Sequence, residues 1–402
     1  MLLSICGHFG VAYMFRDKTT FVIGAGASAE FGLPVGTQLA MNIRDSARIA
    51  SSKLHGLQIV DEDLEQAIKI GWPEFTRDEI IMALRRIHAA IDTSISIDAF
   101  IHRNRDDPVL VHMGKALIAW NIAKAEAQSK MKAIAQTELG ETIDRSQLTD
   151  TWIGKFTRIL FDGVSDIEQI PKQVSIICFN YDRCIEAYLI ESIMIAFNVD
   201  RLVAEGVVND MNIIHPYGYL GKVTNNPFDV KDDECLFAYP VQSNFPLRQV
   251  ANRIRTYTEQ TDSAELISDI HLAIDDAHNL VFLGFGFNNQ NLDLLRVVED
   301  YQPGLAKEKN VYASGYGLKE EIKETLCRRI THIYYDFPRA YKKKYFDRIY
   351  IGFGLSCSEL MGTHDLNLNK FLRRKFSVVQ HGHRISVAVQ QLDRAGAISD
   401  DA

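Results

Sequence analysis

Three polar side chains stand where short apolar runs end. Asn180 and Asp182 follow residues 174–179 in the segment FNYD, and His215 follows residues 211–214 in IIHPYGYLG. Asparagine and aspartate two apart, at the opening of a helix, can hold sugar hydroxyls or orient a water, and Asp182 equally suits the cap of that helix. Histidine, with an ordinary pKa near 6.5, can exchange a proton close to neutrality, although a single histidine is commonly a satisfied structural residue. A fourth candidate carries no functional group. In KTTFVIGAGASAEFGLPVGTQLA the apolar run 20–23 leads into Gly24, Ala25, Gly26 and Ser28, and then into Gly32-Leu33-Pro34. Glycines between a strand and a helix let the backbone turn tightly, and the start of a helix attracts a phosphate. A GxGxxA turn of this kind predicts a nucleotide diphosphate, and is also compatible with a turn that is purely structural.

A dinucleotide-dependent dehydrogenase would need an acid about 20 residues beyond such glycines, at the end of the next strand. Asp45 falls near that distance but inside the helix expected over 28–45. Asp61, after the strand-like 57–60, is better placed and more distant.

The elements that must position these residues are of two kinds. From about 73 to 161 the chain reads as helical: Thr76 and Glu79 have capping-box spacing before Ile80, Ile81, Leu84, Ile87 and Ile91, and Pro108 opens another helix with Val109, Met113, Ala116, Leu117 and Trp120 on one side. Between them, SIDAFI at 96–101 reads as cap and core, with Asp98 as a further acid to note. From Val174 onward, strands at 174–179, 211–214, 280–284 and 310–313 alternate with helices near 182–195, 246–273, 290–299 and 318–330. That alternation predicts an α/β fold with a parallel sheet covered by helices, whose ligands sit beyond the carboxyl ends of the strands. A third strand end, FLGFGFNN, adds Gly284, Gly286 and Asn288 to the candidates.

Composition sets limits. The 402 residues, 47% hydrophobic and 24% charged, suit an ordinary globular protein with two or three domains' worth of core. A net charge of −8 argues against nucleic acid as the default ligand. The cysteines at 6, 178, 184, 235, 327 and 357 form no CxxC pair, which excludes a four-cysteine zinc module and suits reduced thiols in the cytoplasm. No apolar run approaches the roughly 20 residues of a membrane span. Residues 1–17 read as an arm: the apolar 1–13 before Met14 is either an upstream start or a segment that packs on a neighbouring subunit. After 335 the expectation is a short helical extension with a basic stretch, 339–345, and a polar tail.

Taken in order, GAGAS with GLP, FNYD, HPYG, GFGF with Asn288, and VYASGYG at 311–317 resemble the sirtuin fold, and specifically the bacterial sirtuin-like proteins of anti-phage defence, over most of residues 18–335. The resemblance implies a Rossmann-like domain in which Gly24, Ala25, Gly26 and Ser28, with Gly32 and Pro34, wrap the diphosphate of NAD. It implies that Asn180 and Asp182 lie near the nicotinamide ribose and that His215 is the catalytic histidine. Gly284, Gly286 and Asn288 would lie on the adenosine side, with Ser314 and the residues up to 317 closing over adenine. Two departures shape the expected reaction. The paired cysteines of the deacylase zinc ribbon are missing, so no zinc is expected, and Val35-Gly36-Thr37 stands where deacylases carry Phe-Arg. With a helical insertion at 73–161 in place of the peptide-presenting module, water is the expected acceptor, and the expected activity is hydrolysis of NAD to nicotinamide and ADP-ribose. The alternatives are an NAD- or ADP-ribose-sensing scaffold without turnover and an NAD-dependent deacylase. The resemblance further implies NAD depletion gated by homo-oligomerisation, or by a partner such as a HerA-type ATPase.

Overall fold

The computed structural model describes residues 15, 17–52, 56–94, 96–135, 145–256, 259, 263–297, 309–334, 343–369, 374–381 and 384–391. Residues 1–14 and 335–342, and with them most of the arm and part of the basic stretch, lie outside the described residues.

The β-branched and aromatic runs form one sheet. Numbered in chain order, its strands are β1 (Thr19–Ile23), β2 (Val174–Cys178), β3 (Asn212–Ile214), β4 (Asn279–Leu283), β5 (Asn310–Gly315) and β6 (Ile349–Phe353). They lie side by side in the order β3-β2-β1-β4-β5-β6, and each neighbouring pair is parallel. Thr19 pairs with Val174 on one side and Asn279 on the other; Ile23 pairs with Cys178 and Leu283. This is a Rossmann-like, doubly wound sheet. Strand order reverses between β1 and β4, so a crevice opens beyond the carboxyl ends of those two strands.

Side chains alternate across the strands and split the core in two. Val22, Ile177, Leu280 and Phe282 face the helices between residues 62 and 128. Phe21, Ile23, Ile176, Val281 and Leu283 face Trp152, Phe156 and the helix Cys184–Phe197. Phe15, on the arm, belongs to this second core: it packs edge-on against Phe21, with ring centroids 5.7 Å apart, and bridges to Asn369.

Several expected helices form for the reasons read in the sequence. Thr76 and Glu79 complete a reciprocal capping box on Arg77–Ala90, and Asp107 caps Pro108–Gln128 with the proline in its first turn. Other boundaries differ. The helix expected over 28–45 is interrupted: Ala25–Ser28 ends in a 3-10 turn, Gly32 takes a left-handed φ of 94°, and a new helix runs over Gly36–Ser46. Proline at 34 and a left-handed glycine just before it stop the first turn. The helix expected over 246–273 is two, Leu247–Ala251 and Ala264–Asp276. The expectation that the chain after 335 is a helical extension is corrected. Residues 349–353, IYIGF, are largely β-branched and aromatic and pair with β5, giving the sheet its edge strand; Cys357–Leu368 follows, with His364 against Tyr350 and Tyr312, and Arg374–His381 and Arg384–Gln391 form an antiparallel hairpin. The strand-like 57–60 belongs to a separate antiparallel ribbon, Ile49–Ser52 with Gly56–Ile59, and not to the central sheet. Among the described residues no helix is long and apolar enough to cross a membrane.

Candidate functional site

The crevice at the strand-order reversal is a cavity of about 750 Å³, within the range of roughly 300–1,000 Å³ usual for small-molecule sites. Its wall begins with Gly24, Ala25 and Gly26 after β1 and with Gly284, Gly286 and Asn288 after β4. These two turns are clasped together. Gly24 N donates to Leu283 O at 2.9 Å and Gly26 N to Gly284 O at 3.0 Å. A Cβ on Gly24 would lie 2.5 Å from Gly284 O, and one on Gly284, at φ 59°, would lie 2.0 Å from Ala27 N. The glycines are required by contact between the two strand ends, which is a reason the sequence did not reveal. With the first helix only four residues long, its dipole is slight. A fuller helix start lies nearby: Val35 caps Gly36–Ser46 without any side-chain bond, and Pro34, Val35 and Gly36 all line the cavity. Uncapped N–H groups at such a start suit an anionic oxygen.

The FNYD segment forms the opposite wall, with Phe179, Asn180, Tyr181 and Asp182 all lining the cavity. Asn180 Nδ2 donates to Gly24 O at 3.1 Å and to Ser28 Oγ at 2.8 Å, which ties the second strand end to the first. Asp182 accepts from Cys184 N at 3.1 Å and from the Ser28 hydroxyl, so it both steadies the helix start and faces the cavity; burial pushes its carboxyl above the usual range. Arg183, fully buried, holds the segment from behind through Glu126 at 2.5 Å and the Cys235 and Leu236 carbonyls.

His215 is placed differently from what the resemblance implied. It does not line the cavity. It lies beneath Asn180, with Nε2 2.7 Å from Glu186 Oε1, Nδ1 3.3 Å from Asn180 O and its ring stacked on Tyr219. Burial alone would lower its pKa, but Glu186 and Cys178 raise it well above the ordinary value. Held between the Glu186 carboxylate and the Asn180 carbonyl, the ring is a structural brace. Tyr217, two residues on, is the residue of this loop that reaches the cavity, and its hydroxyl donates to Asn291 Oδ1 at 2.8 Å.

Of the remaining candidates, Pro34, Gly286, Asn288 and Ser314 line the cavity. Gly286 has open space on the side where a Cβ would stand. Asn288 caps Asn289–Leu295, and Ser314 Oγ accepts from Gly284 N at 2.8 Å. Ser28 and Gly32 do not line it: Ser28 is buried beneath the turn, and Gly32 terminates the 3-10 turn. Asp45 and Asp61 are elsewhere, and Asp61 is engaged by Leu64 N, Trp120 and Lys124. The sequence reading passed over Tyr181, Tyr217, Glu30 and the pair Ser356–Cys357. Glu30 accepts from Trp152 N at 2.9 Å and Ser358 N at 2.7 Å, joining the starts of two helices. Among the described lining residues the charged groups are Glu30, Asp98 and Asp182, with no lysine or arginine, and among the described residues no cluster of His, Cys, Asp and Glu is arranged to hold a metal. No family model matches this chain, and no curated protein matches it.

Proposed function

We propose that the crevice binds NAD and hydrolyses its nicotinamide–ribose bond, giving nicotinamide and ADP-ribose. One observation carries this reading: a single cavity runs from two clasped glycine turns to a wall bearing a carboxamide and two carboxylates, Asn180, Asp182 and Asp98. Backbone N–H groups near Ala25 and Gly36 suit one diphosphate. An acid-lined wall without lysine or arginine disfavours a triphosphate, or a dinucleotide with a further phosphate, by like-charge repulsion, whereas the cationic nicotinamide ring of NAD is attracted to it. Leaving-group departure builds positive charge on the ribose, which fixed dipoles and carboxylates stabilise.

The direct test is to incubate the full chain with NAD and follow nicotinamide and ADP-ribose by chromatography, alongside thermal shifts with NAD, NADP and Mg-ATP. Nicotinamide release with the largest shift for NAD is expected; neither release nor a shift would reject the site. A second reading, binding without turnover, is favoured by the enclosure of His215 beneath the cavity floor. It corresponds to a shift with no release. We propose with the first reading that cleavage is restrained until a homo-oligomer or a partner such as a HerA-type ATPase engages the chain, in the setting of anti-phage NAD depletion. Equal rates for the chain alone and with that ATPase would reject the restraint.

A further inference from the structure

The three cavity carboxylates differ in what else they do. Glu30 is taken up by the N–H groups of Trp152 and Ser358, and Asp182 by Cys184 N and Ser28. Asp98 sits in the first turn of the helix Ile97–Arg103, where a carboxylate would ordinarily serve as cap. Yet Ser96 has that role, its Oγ accepting from Ala99 N at 3.1 Å. The described side-chain partner of Asp98 is the hydroxyl of Tyr181, which stands between Asn180 and Asp182 on the far wall. This hydrogen bond brings a carboxylate from the helical region into the same cavity as the FNYD segment, with Phe179, Tyr217 and Phe285 lining the space around them.

We propose that Asp98 is the catalytic base of the crevice, taking a proton from the water that attacks C1′ of the nicotinamide ribose, a role that rests on the hydrolytic reading above. As the new C1′–O bond forms, the C1′–N bond breaks and its electron pair neutralises the pyridinium nitrogen, so nicotinamide leaves uncharged. The water proton passes to the Asp98 carboxylate and then to solvent. The groups around Asp98 are consistent with this task. Desolvation pushes its carboxyl up to about 6, against the lowering effect of the Tyr181 hydrogen bond. Glu30 and Asp182 line the same cavity. On the helix Pro108–Gln128 packed against its own, Lys115 is paired with Glu259 and Glu126 with Arg183. On its own helix, Arg103 donates to Thr93 and Ser94, and His102 lies in the last turn. A base that titrates near 6 is ionised at neutral pH and still able to hold a proton.

The experiment compares wild type, Asp98→Asn, Asp98→Ala and Tyr181→Phe in three readouts: ADP-ribose affinity by calorimetry, nicotinamide release from pH 5 to 8, and cleavage in added azide. The wild-type rate is expected to fall as pH drops through about 6. Asp98→Asn should lose that limb and a factor on the order of 10² or more in rate while binding ADP-ribose as tightly as wild type. In Tyr181→Phe the limb should move to higher pH, because a hydrogen bond that favours the carboxylate is gone. Azide needs no deprotonation, so it should restore cleavage in Asp98→Ala and leave azido-ADP-ribose as product. Asp98→Asn within a few-fold of wild type, or with its acidic limb intact, would overturn the base role while hydrolysis stood. Lost ADP-ribose binding in both Asp98 variants would reduce the residue to a binding or structural one. Tight ADP-ribose binding by wild type with no nicotinamide at any pH would defeat the hydrolytic reading, and the base role with it.

Discussion

His215 Nε2 lies 2.7 Å from Glu186 Oε1, in the protein interior and behind the wall that Asn180 presents to the crevice. The pair is nearly closed to solvent, with 5% of the histidine and 14% of the glutamate side chain exposed. The other ring nitrogen supports the backbone of Asn180 itself. The histidine therefore acts on the cavity through the residue above it, as a positioning residue.

Replacing His215 with alanine should destabilise the fold, because it leaves the Glu186 carboxylate buried with no partner. A loss of about 1–3 kcal/mol in urea denaturation is expected for such a group. An unchanged unfolding midpoint would show that the brace carries no weight.

The same ion pair gives a pH dependence whose sign is fixed. The folded pKa of His215 is raised above its unfolded value of about 6.5. Its stabilisation is therefore complete below the unfolded pKa and is lost as pH rises through the folded one. Wild-type stability should decline on the alkaline side relative to His215→Gln, measured by urea midpoints from pH 6 upward. Parallel curves for the two proteins would contradict the raised pKa.

Asn180→Ala removes both bonds that tie the FNYD wall to the first turn, to Gly24 O and Ser28 Oγ. We expect ADP-ribose binding to weaken by roughly tenfold or more, and stability to fall by about 1–2 kcal/mol through the two lost hydrogen bonds, with Gly24 O keeping Ala27 N and Ser28 keeping Asp182 as partners. Calorimetry and denaturation on the same sample separate the two effects. Full affinity in the variant would make this asparagine dispensable to the site.

Gly284→Ala meets two obstacles at once, a left-handed backbone and the Ala27 amide 2.0 Å from the new methyl carbon. Gly286→Ala, at a neighbouring cavity position, meets no atom within 4 Å. The first should be poorly folded or markedly less stable. The second should fold normally and report on ligand approach alone, by its thermal shift with NAD. Equal stability of the two variants would remove the argument from the clasp.

Burial of Arg183 against Glu126, at 0% and 1% exposure, predicts the largest single loss. Glu126→Ala leaves a guanidinium in the core with two carbonyls for company, and about 3–5 kcal/mol of destabilisation is expected. A loss below about 1 kcal/mol in chemical denaturation would mean that water or another acid reaches Arg183.

What the sequence determined by itself is local. The run TTFVI must be a buried strand, two glycines one residue apart must bend the chain after it, and Thr76 with Glu79 must start a helix, because each follows from neighbours within a few residues. The order of strand-end motifs likewise made a parallel α/β sheet legible, since β-strands alternating with helices have few other ways to bury both faces. Tertiary structure decided what those ends meet. Gly24 needs to be glycine because of Gly284, some 260 positions away; Asp98 belongs to the site because Tyr181 reaches it. His215 does not line the cavity, because Glu186, in the first turn of the helix Cys184–Phe197, holds it. The edge strand Ile349–Phe353 and the cavity residues Ser356 and Cys357 were hidden in a segment with no motif of its own. Burial, pairing and the direction of a side chain arise from contacts between distant segments, and a local pattern carries no information about which segment will arrive.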